Sequence, residues 1–181
     1  MLLFNYIIGT EKNDDLKLSI LMNWLDNFKG TLFRQTQFAE FELKIHEVAE
    51  QGKPLTGETF SKIYKGITDK YYGNDQGICK VDDYISMEWA AIPHFYRTFY
   101  VYQYSTSFTA SISLAEKVMS GDQNALKSYM KFLSAGGSDF PIEILKNAGV
   151  DMTTSDPFEK TTAAMNKVMD EIEKILDKKK K

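Results

Sequence analysis

Apolar residues recur at helical spacing along the first half of the chain. Between Asp14 and Gln51 they form two stripes, one on each side of Gly30, and this glycine is expected to bend the segment or divide it into two helices. The stripes consist of Leu21, Trp24, Leu25, Phe28 and Leu32, and of Phe38, Phe41, Ile45 and Val48. Asn13 or Asp14 is expected to cap the first helix. A further stripe after Thr56 predicts another helix, with Phe60, Ile63, Tyr64, Ile67 and Tyr71 on its apolar face.

The second half continues with shorter elements. Asp82 or Asp83 is predicted to cap a short helix that ends near Trp89, and Pro93 interrupts the chain after it. An aromatic helix is then predicted from Pro93 to about Met119. Three more helices are predicted: Ala125–Leu133, one capped by Ser138 or Asp139 with Pro141 in its first turn, and a last one opened by Asp156 and Pro157.

These patterns define the fold class. No alternation of β-branched residues is sustained and no Asn-Gly hairpin signal occurs. We therefore predict an all-α fold, a multi-helix bundle of six to eight helices forming one domain over residues 1–181. The apolar segment Met1–Ile8 is unusual for a free terminus, and it predicts a helix that would be buried in a complete domain and continue from upstream sequence.

Composition narrows the classes of function. With 43% hydrophobic and 26% charged residues, the chain is typical of a soluble globular protein. The 25 acidic residues outnumber the 22 basic ones, which argues against nucleic-acid binding. No apolar run reaches the roughly 20 residues that span a bilayer, and no signal peptide is expected. The single cysteine, Cys79, excludes an internal disulfide and fits a cytoplasmic location.

One segment resembles a metal-binding motif. His46-Glu47-Val48-Ala49-Glu50 resembles the zinc-peptidase pattern HExxH with glutamate in place of the second histidine, and His46 and Glu50 share a helix face. A catalytic zinc needs a third protein ligand, and the chain has only two histidines and one cysteine. We interpret this segment as the solvated flank of an amphipathic helix and assign no metal ligand in the chain.

The densest candidate chemistry lies in Trp89–Phe108, WAAIPHFYRTFYVYQYSTSF, which contains eight aromatic residues around His94. Phenols are amphipathic, so a succession of them suggests a wall that faces something polar. At helical spacing, two groups of polar side chains share faces of the predicted aromatic helix. They are Tyr96, Tyr100, Gln103 and Ser107, and Tyr102, Thr106, Thr109 and Ser113. From the residues alone we predict a binding helix lining a cleft, with a structural role for His94 as the alternative.

Three blocks in the same order resemble the oligoendopeptidase F family of zinc metallopeptidases, relatives of thimet oligopeptidase. They are Leu25–Glu42 (LDNFKGTLFRQTQFAEFE), Glu88–Tyr104 (EWAAIPHFYRTFYVYQY) and Ala135–Asp151 (AGGSDFPIEILKNAGVD). The resemblance implies the C-terminal part of a catalytic domain that is mostly helical and forms one wall of a peptide channel. It also implies a cytoplasmic enzyme that hydrolyses short peptides with a zinc-activated water.

The resemblance assigns roles to the aromatic segment. His94 matches the histidine of the family's IPHFY pattern and, together with a tyrosine, would be catalytic, holding substrate and donating hydrogen bonds to the tetrahedral oxyanion. Tyr102 is predicted to donate to the tetrahedral oxyanion, because FYVYQYS resembles YYGYLWS in the thimet relatives. Tyr96, Tyr100 and Tyr104 are predicted to bind substrate and remain alternatives for the oxyanion donor. Phe99 replaces a second tyrosine of those relatives.

The chain departs from the family in one respect, because it contains no HExxH. We therefore expect a fragment that begins after the family's third zinc ligand, with zinc and the N-terminal catalytic portion supplied elsewhere. Alone, it is expected neither to bind catalytic zinc nor to cleave peptides. The rival hypothesis is a non-catalytic helical module that binds peptides or self-assembles into a homo-oligomer through exposed apolar surface.

Overall fold

A computed structural model describes residues 2–180 of the chain. Within this range there are eight α-helices and no strand, as predicted for an all-α fold. The helices are α1 (Leu2–Thr10), α2 (Asp14–Asn27), α3 (Arg34–Glu50), α4 (Gly57–Tyr72), α5 (Tyr102–Met119), α6 (Gln123–Ala135), α7 (Pro141–Asn147) and α8 (Asp156–Lys179). None of the helices so described is both long enough and apolar enough to cross a membrane.

Side-chain caps open α2, α4 and α6. Asn13 caps α2 by accepting the backbone N–H groups of Asp15 and Leu16. Gly30 lies in a π-helical segment, Phe28–Phe33, that joins α2 to α3 at the glycine predicted to bend or divide the helix. The cap predicted for α7 is wrong, because its N-cap is Phe140 without a side-chain hydrogen bond. Asp139 instead accepts the N–H of Phe140 at 2.7 Å.

The predicted helix from Pro93 onward is also wrong in its first turns. Asp83–Ala91 and Pro93–Tyr96 are 3₁₀ segments, and the α-helix begins only at Tyr102. Phe99 lies between the Pro93–Tyr96 segment and α5. Its φ is +55°, a value that no right-handed helix can contain. The face proposed for Tyr96 and Tyr100 as members of one α-helix therefore does not exist.

Contacts between residues divide the chain into two compact units, Met1–Lys29 with Thr106–Lys181, and Gly30–Ser105. The single domain over residues 1–181 stays a prediction. In the first unit α2 packs on α8, and Trp24 is surrounded by the rings of Phe4, Phe28 and Phe108 at 4.7–5.9 Å. Helix α1 has no buried residue, so the described residues do not provide the burial expected for this segment.

The Gly30–Ser105 unit is built around α3 and α4. Its core consists of Phe38, Phe41, Tyr64, Ile67 and Val101. Phe41 is central, since its ring contacts those of Phe60, Tyr64 and Phe95 at centroid distances of 6.2, 5.2 and 5.2 Å. Edge-to-face aromatic contacts of this kind fix the angle of packing as well as burying area. The 3₁₀ segments therefore rest on a rigid aromatic base.

Two glycines, Gly66 inside α4 and Gly73 just after it, are predicted to change the free energy of unfolding in opposite directions when replaced by alanine. Gly73 ends the helix at φ = +64°, and an added Cβ would lie 2.9 Å from Ile78 Cδ1, so Gly73→Ala should lower the free energy of unfolding by about 1–3 kcal/mol. Gly66 is exposed inside the helix with open space around it, so Gly66→Ala should raise this free energy by about 0.4–1 kcal/mol. Urea denaturation of both variants measures the two shifts, and equal effects would contradict the assigned backbone roles.

Candidate functional site

The predicted site residues lie in the Gly30–Ser105 unit, on the segment that runs from Pro93 to the first turn of α5. Two apolar residues, the half-buried Phe95 and the buried Val101, anchor this segment. The ring of Phe95 packs against Phe38 at 5.9 Å and Phe41 at 5.2 Å, and Val101 is completely buried. The residues on either side of these anchors are half-buried or exposed, which gives the segment its row of accessible polar groups.

Three of the predicted residues form one cluster, which we call the His94 cluster: His94, Tyr100 and Tyr104. The imidazole of His94 stacks on the ring of Tyr100 at 5.8 Å with an interplanar angle of 14°. The hydroxyl of Tyr104 lies 3.4 Å from His94 Nε2, and its ring meets that of Tyr100 edge-on at 5.6 Å. His94 and Tyr100 are half-buried and Tyr104 is 36% exposed. The cluster therefore presents one imidazole and two phenols to the surface on a packed base.

The two other predicted tyrosines, Tyr96 and Tyr102, are more exposed. Tyr96 is 88% exposed at the end of its 3₁₀ turn. Tyr102, the first residue of α5, is 50% exposed. It precedes Tyr104 by two helical residues, so at about 100° per residue their side chains leave α5 in widely different directions. The roles of all five side chains in catalysis and substrate binding stay predictions.

The phenol of Tyr104 is protonated at neutral pH, as an ordinary tyrosine is. Its side-chain hydrogen bond with Tyr100, followed by partial desolvation, raises the pKa of the Tyr104 phenol above its ordinary value. A phenol that stays protonated at neutral pH retains its proton to donate to an acceptor. The cluster can therefore offer a hydrogen-bond donor to a polar ligand.

We expect Tyr100→Phe to lower the pKa of Tyr104 back toward about 10, because the hydrogen bond that raises it is removed. A titration of the tyrosine ring carbons by NMR measures this pKa directly. Tyr84→Phe is the matched control, since Tyr84 is a 68% exposed tyrosine in the same unit. An unchanged pKa of Tyr104 in Tyr100→Phe would contradict the hydrogen bond.

The backbone between the anchors is held in an uncommon conformation by a buried carboxylate. Phe99 is the one non-glycine residue with positive φ in residues 2–180, and such a conformation costs about 1–3 kcal/mol. Its N–H donates to Glu42 Oε1 at 2.7 Å, and an intramolecular hydrogen bond contributes about 0.5–1.5 kcal/mol, or more where the acceptor is charged. Its ring packs on that of His46 at 4.7 Å. The two energies are comparable, so Glu42 can sustain the conformation of Phe99.

A second carboxylate places the 3₁₀ segment that precedes the cluster. Glu88 pairs with Arg34 and accepts the hydroxyl of Tyr64 at 2.6 Å. Burial, and then the bond to Glu88, raise the pKa of Tyr64 well above its ordinary range. The next residue, Trp89, donates its indole N–H to Ser61 Oγ at 3.2 Å. These bonds tie Asp83–Ala91 to α3 and α4 and so set where Pro93–Tyr96 begins.

The donor set of the chain does not fit a catalytic zinc. No group of three or more His, Cys, Asp or Glu side chains lies close enough to hold a metal ion in the part of the chain the structure describes. His46 of the HExxH-like segment packs on Phe99 instead. A catalytic zinc takes three protein ligands, a set that the described residues do not bring together.

Comparison with known proteins gives one consistent result. The sequence model of peptidase family M3 matches residues 1–164. Oligopeptidase PepF of Bacillus subtilis is 41% identical over 99% of this chain and 26% of its own length, and the chromosomal oligoendopeptidase F of Lactococcus lactis subsp. cremoris is 44% identical over 93% and 28%. The crystal structure of oligoendopeptidase-F from Enterococcus faecium superimposes with a TM-score of 0.92 at 43% identity, covering 97% of this chain and 33% of that one. The chain thus spans between about a quarter and a third of the length of these relatives.

Proposed function

Because the chain belongs to peptidase family M3, we propose that it forms the substrate-facing part of an enzyme that hydrolyses short peptides. The observation that carries this proposal is the His94 cluster, in which an imidazole and two phenols stand together on a packed aromatic base. Such side chains can bind the polar backbone and the side chains of a peptide at once. We propose short peptides as the substrate class, in keeping with the oligoendopeptidase names of its relatives.

Each side chain has a defined proposed task. His94 and Tyr104 hydrogen-bond the peptide backbone, and Tyr96 and Tyr100 contribute further substrate contacts. Tyr102 donates its hydroxyl to the oxyanion that develops when the peptide carbonyl is attacked. A single donor aimed at such a charge in a water-poor site contributes about 3–4 kcal/mol to lowering the barrier. The metal ligands and the attacking water are proposed to come from the remainder of the enzyme, since the described residues supply no such ligand set.

A hybrid enzyme tests the proposal. In the PepF hybrid, this chain replaces the 179-residue segment of Bacillus subtilis oligopeptidase PepF that it matches. We expect the hybrid to cleave a fluorogenic short peptide with kcat/KM within about tenfold of the parent, since the segment has its relatives' fold. A hybrid that is folded and loaded with metal but does not cleave the peptide would refute the catalytic proposal.

A titration of the 181-residue chain distinguishes the rival hypothesis, a non-catalytic binding module, from the enzyme. A short peptide added to the chain should shift the NMR signals of His94, Tyr100 and Tyr104 in a saturable manner. Peptide binding together with an inactive hybrid would favour the binding module. An active hybrid would favour the enzyme.

A further inference from the structure

We infer that Glu42 is a positioning residue, whose buried carboxylate holds Phe99 in the left-handed backbone conformation that keeps the His94 cluster assembled. The structural part of this inference stands on contacts alone. Its consequence for peptide hydrolysis rests on the proposed function.

Two consecutive residues of helix α3, Phe41 and Glu42, contact the segment that carries His94 and Tyr100. Phe41, 1% exposed, packs on the ring of Phe95, which directly follows His94. Glu42, 2% exposed, accepts the N–H of Phe99 at 2.7 Å, and Phe99 directly precedes Tyr100. One turn of α3 therefore fixes the backbone beside both His94 and Tyr100. The stacked rings of these two residues depend on that spacing.

The conformation of Phe99 sets the direction of the chain after it. Residues that carry a Cβ normally have negative φ. Phe99 would therefore relax to negative φ if its N–H lost the acceptor. Val101 is completely buried and cannot follow such a change without leaving the core. Tyr100, between the two, would absorb the rotation and move away from His94.

Four variants of the 181-residue chain test this: Glu42→Ala, Glu42→Gln, Phe99→Gly, and Glu42→Ala combined with Phe99→Gly. The readouts are nuclear Overhauser contacts between the rings of His94, Tyr100 and Tyr104, and the exchange rate of the Phe99 amide. Glu42→Ala should lose the contacts and expose the amide to exchange, whereas Glu42→Gln keeps an oxygen acceptor and should retain both. Glycine adopts positive φ without strain, so Phe99→Gly should restore the ring contacts in the Glu42→Ala background.

The rescue by glycine separates positioning from mere stability. A carboxylate needed only to fill or stabilise the core would not be replaced by removing a side chain at position 99. Ring contacts that stay absent in the double variant, or that persist in Glu42→Ala alone, would overturn the inference. Phe99→Gly alone keeps the test informative if Glu42→Ala fails to fold, because loss of the ring contacts in that variant would also overturn it. Glu50→Ala, an exposed glutamate of α3, is the control.

The same variants in the PepF hybrid measure the consequence for catalysis. The His94 cluster is proposed to bind the peptide, and misplacing bound groups by about 1 Å can lower rates about 100-fold, so Glu42→Ala should reduce kcat/KM by about 10- to 100-fold, with recovery in the double variant. If the variants keep and lose the ring contacts as predicted but the hybrid has no activity, the proposed function is refuted and the positioning role stands. An active hybrid whose kcat/KM is unchanged by Glu42→Ala would refute the positioning role.

Discussion

Phe41→Ala is expected to lower the free energy of unfolding of the Gly30–Ser105 unit by about 3–5 kcal/mol. The ring is 1% exposed and contacts three other rings, so its removal leaves a cavity that rigid aromatic neighbours cannot fill. The measurement is urea denaturation followed by tryptophan fluorescence in a Trp24→Phe background. Trp89 is then the one tryptophan left, and it lies in this unit.

Leu43→Ala is the matched control for this prediction. Leu43 lies two residues further along α3 and is 51% exposed, so its loss should change the free energy by no more than about 0.5 kcal/mol. A small effect of Phe41→Ala, comparable with that of Leu43→Ala, would contradict the placement of the core between α3 and α4.

Tyr102→Phe is expected to lower kcat of the PepF hybrid by about 100-fold or more and to leave KM nearly unchanged. The substitution removes one hydroxyl and keeps the ring, so it deletes a hydrogen bond proposed to form only in the transition state. Tyr104→Phe should instead raise KM with a smaller effect on kcat, because Tyr104 is proposed to bind the ground-state peptide. Steady-state kinetics on a fluorogenic peptide distinguish the two patterns.

Tyr84→Phe controls for the general loss of a phenol, since Tyr84 is 68% exposed and belongs to the 3₁₀ segment Asp83–Ala91. Its kcat and KM should match those of the unsubstituted hybrid. The reversed pattern, with kcat lost in Tyr104→Phe and retained in Tyr102→Phe, would transfer the oxyanion role to Tyr104.

Features set by short-range chemistry could be predicted from the sequence. The apolar stripes gave the correct fold class, Asn13 was one of the two caps predicted for α2, and Gly30 was predicted to bend or divide the helix where a π-helical segment lies. The resemblance carried by blocks such as EWAAIPHFYRTFYVYQY is confirmed by the match to family M3. Each of these depends on residues close together in sequence, where spacing and propensity decide the outcome.

The geometry of the candidate site depended on contacts that no local pattern reveals. The aromatic run reads as a helix from Pro93, yet Phe99 takes a left-handed conformation because Glu42, 57 residues away, accepts its N–H. Glu42 itself lies beside Phe41 and gives no sign in the sequence that its carboxylate is buried. Helical faces drawn through Tyr96 and Tyr100 therefore failed, whereas the grouping of Tyr100 with His94 emerged only from the fold.

The positive φ of Phe99 also restricts which amino acids this position can accept in descendants of the sequence. Glycine, asparagine and aspartate enter left-handed backbone readily, so a codon change to any of them would be tolerated in the fold. Valine and isoleucine are strongly disfavoured there despite their apolar character, because branching at Cβ adds to the clash. Substitutions accepted at position 99 should therefore be small or amide-bearing residues. The aliphatic residues that an exposed apolar position ordinarily accepts should be rare there.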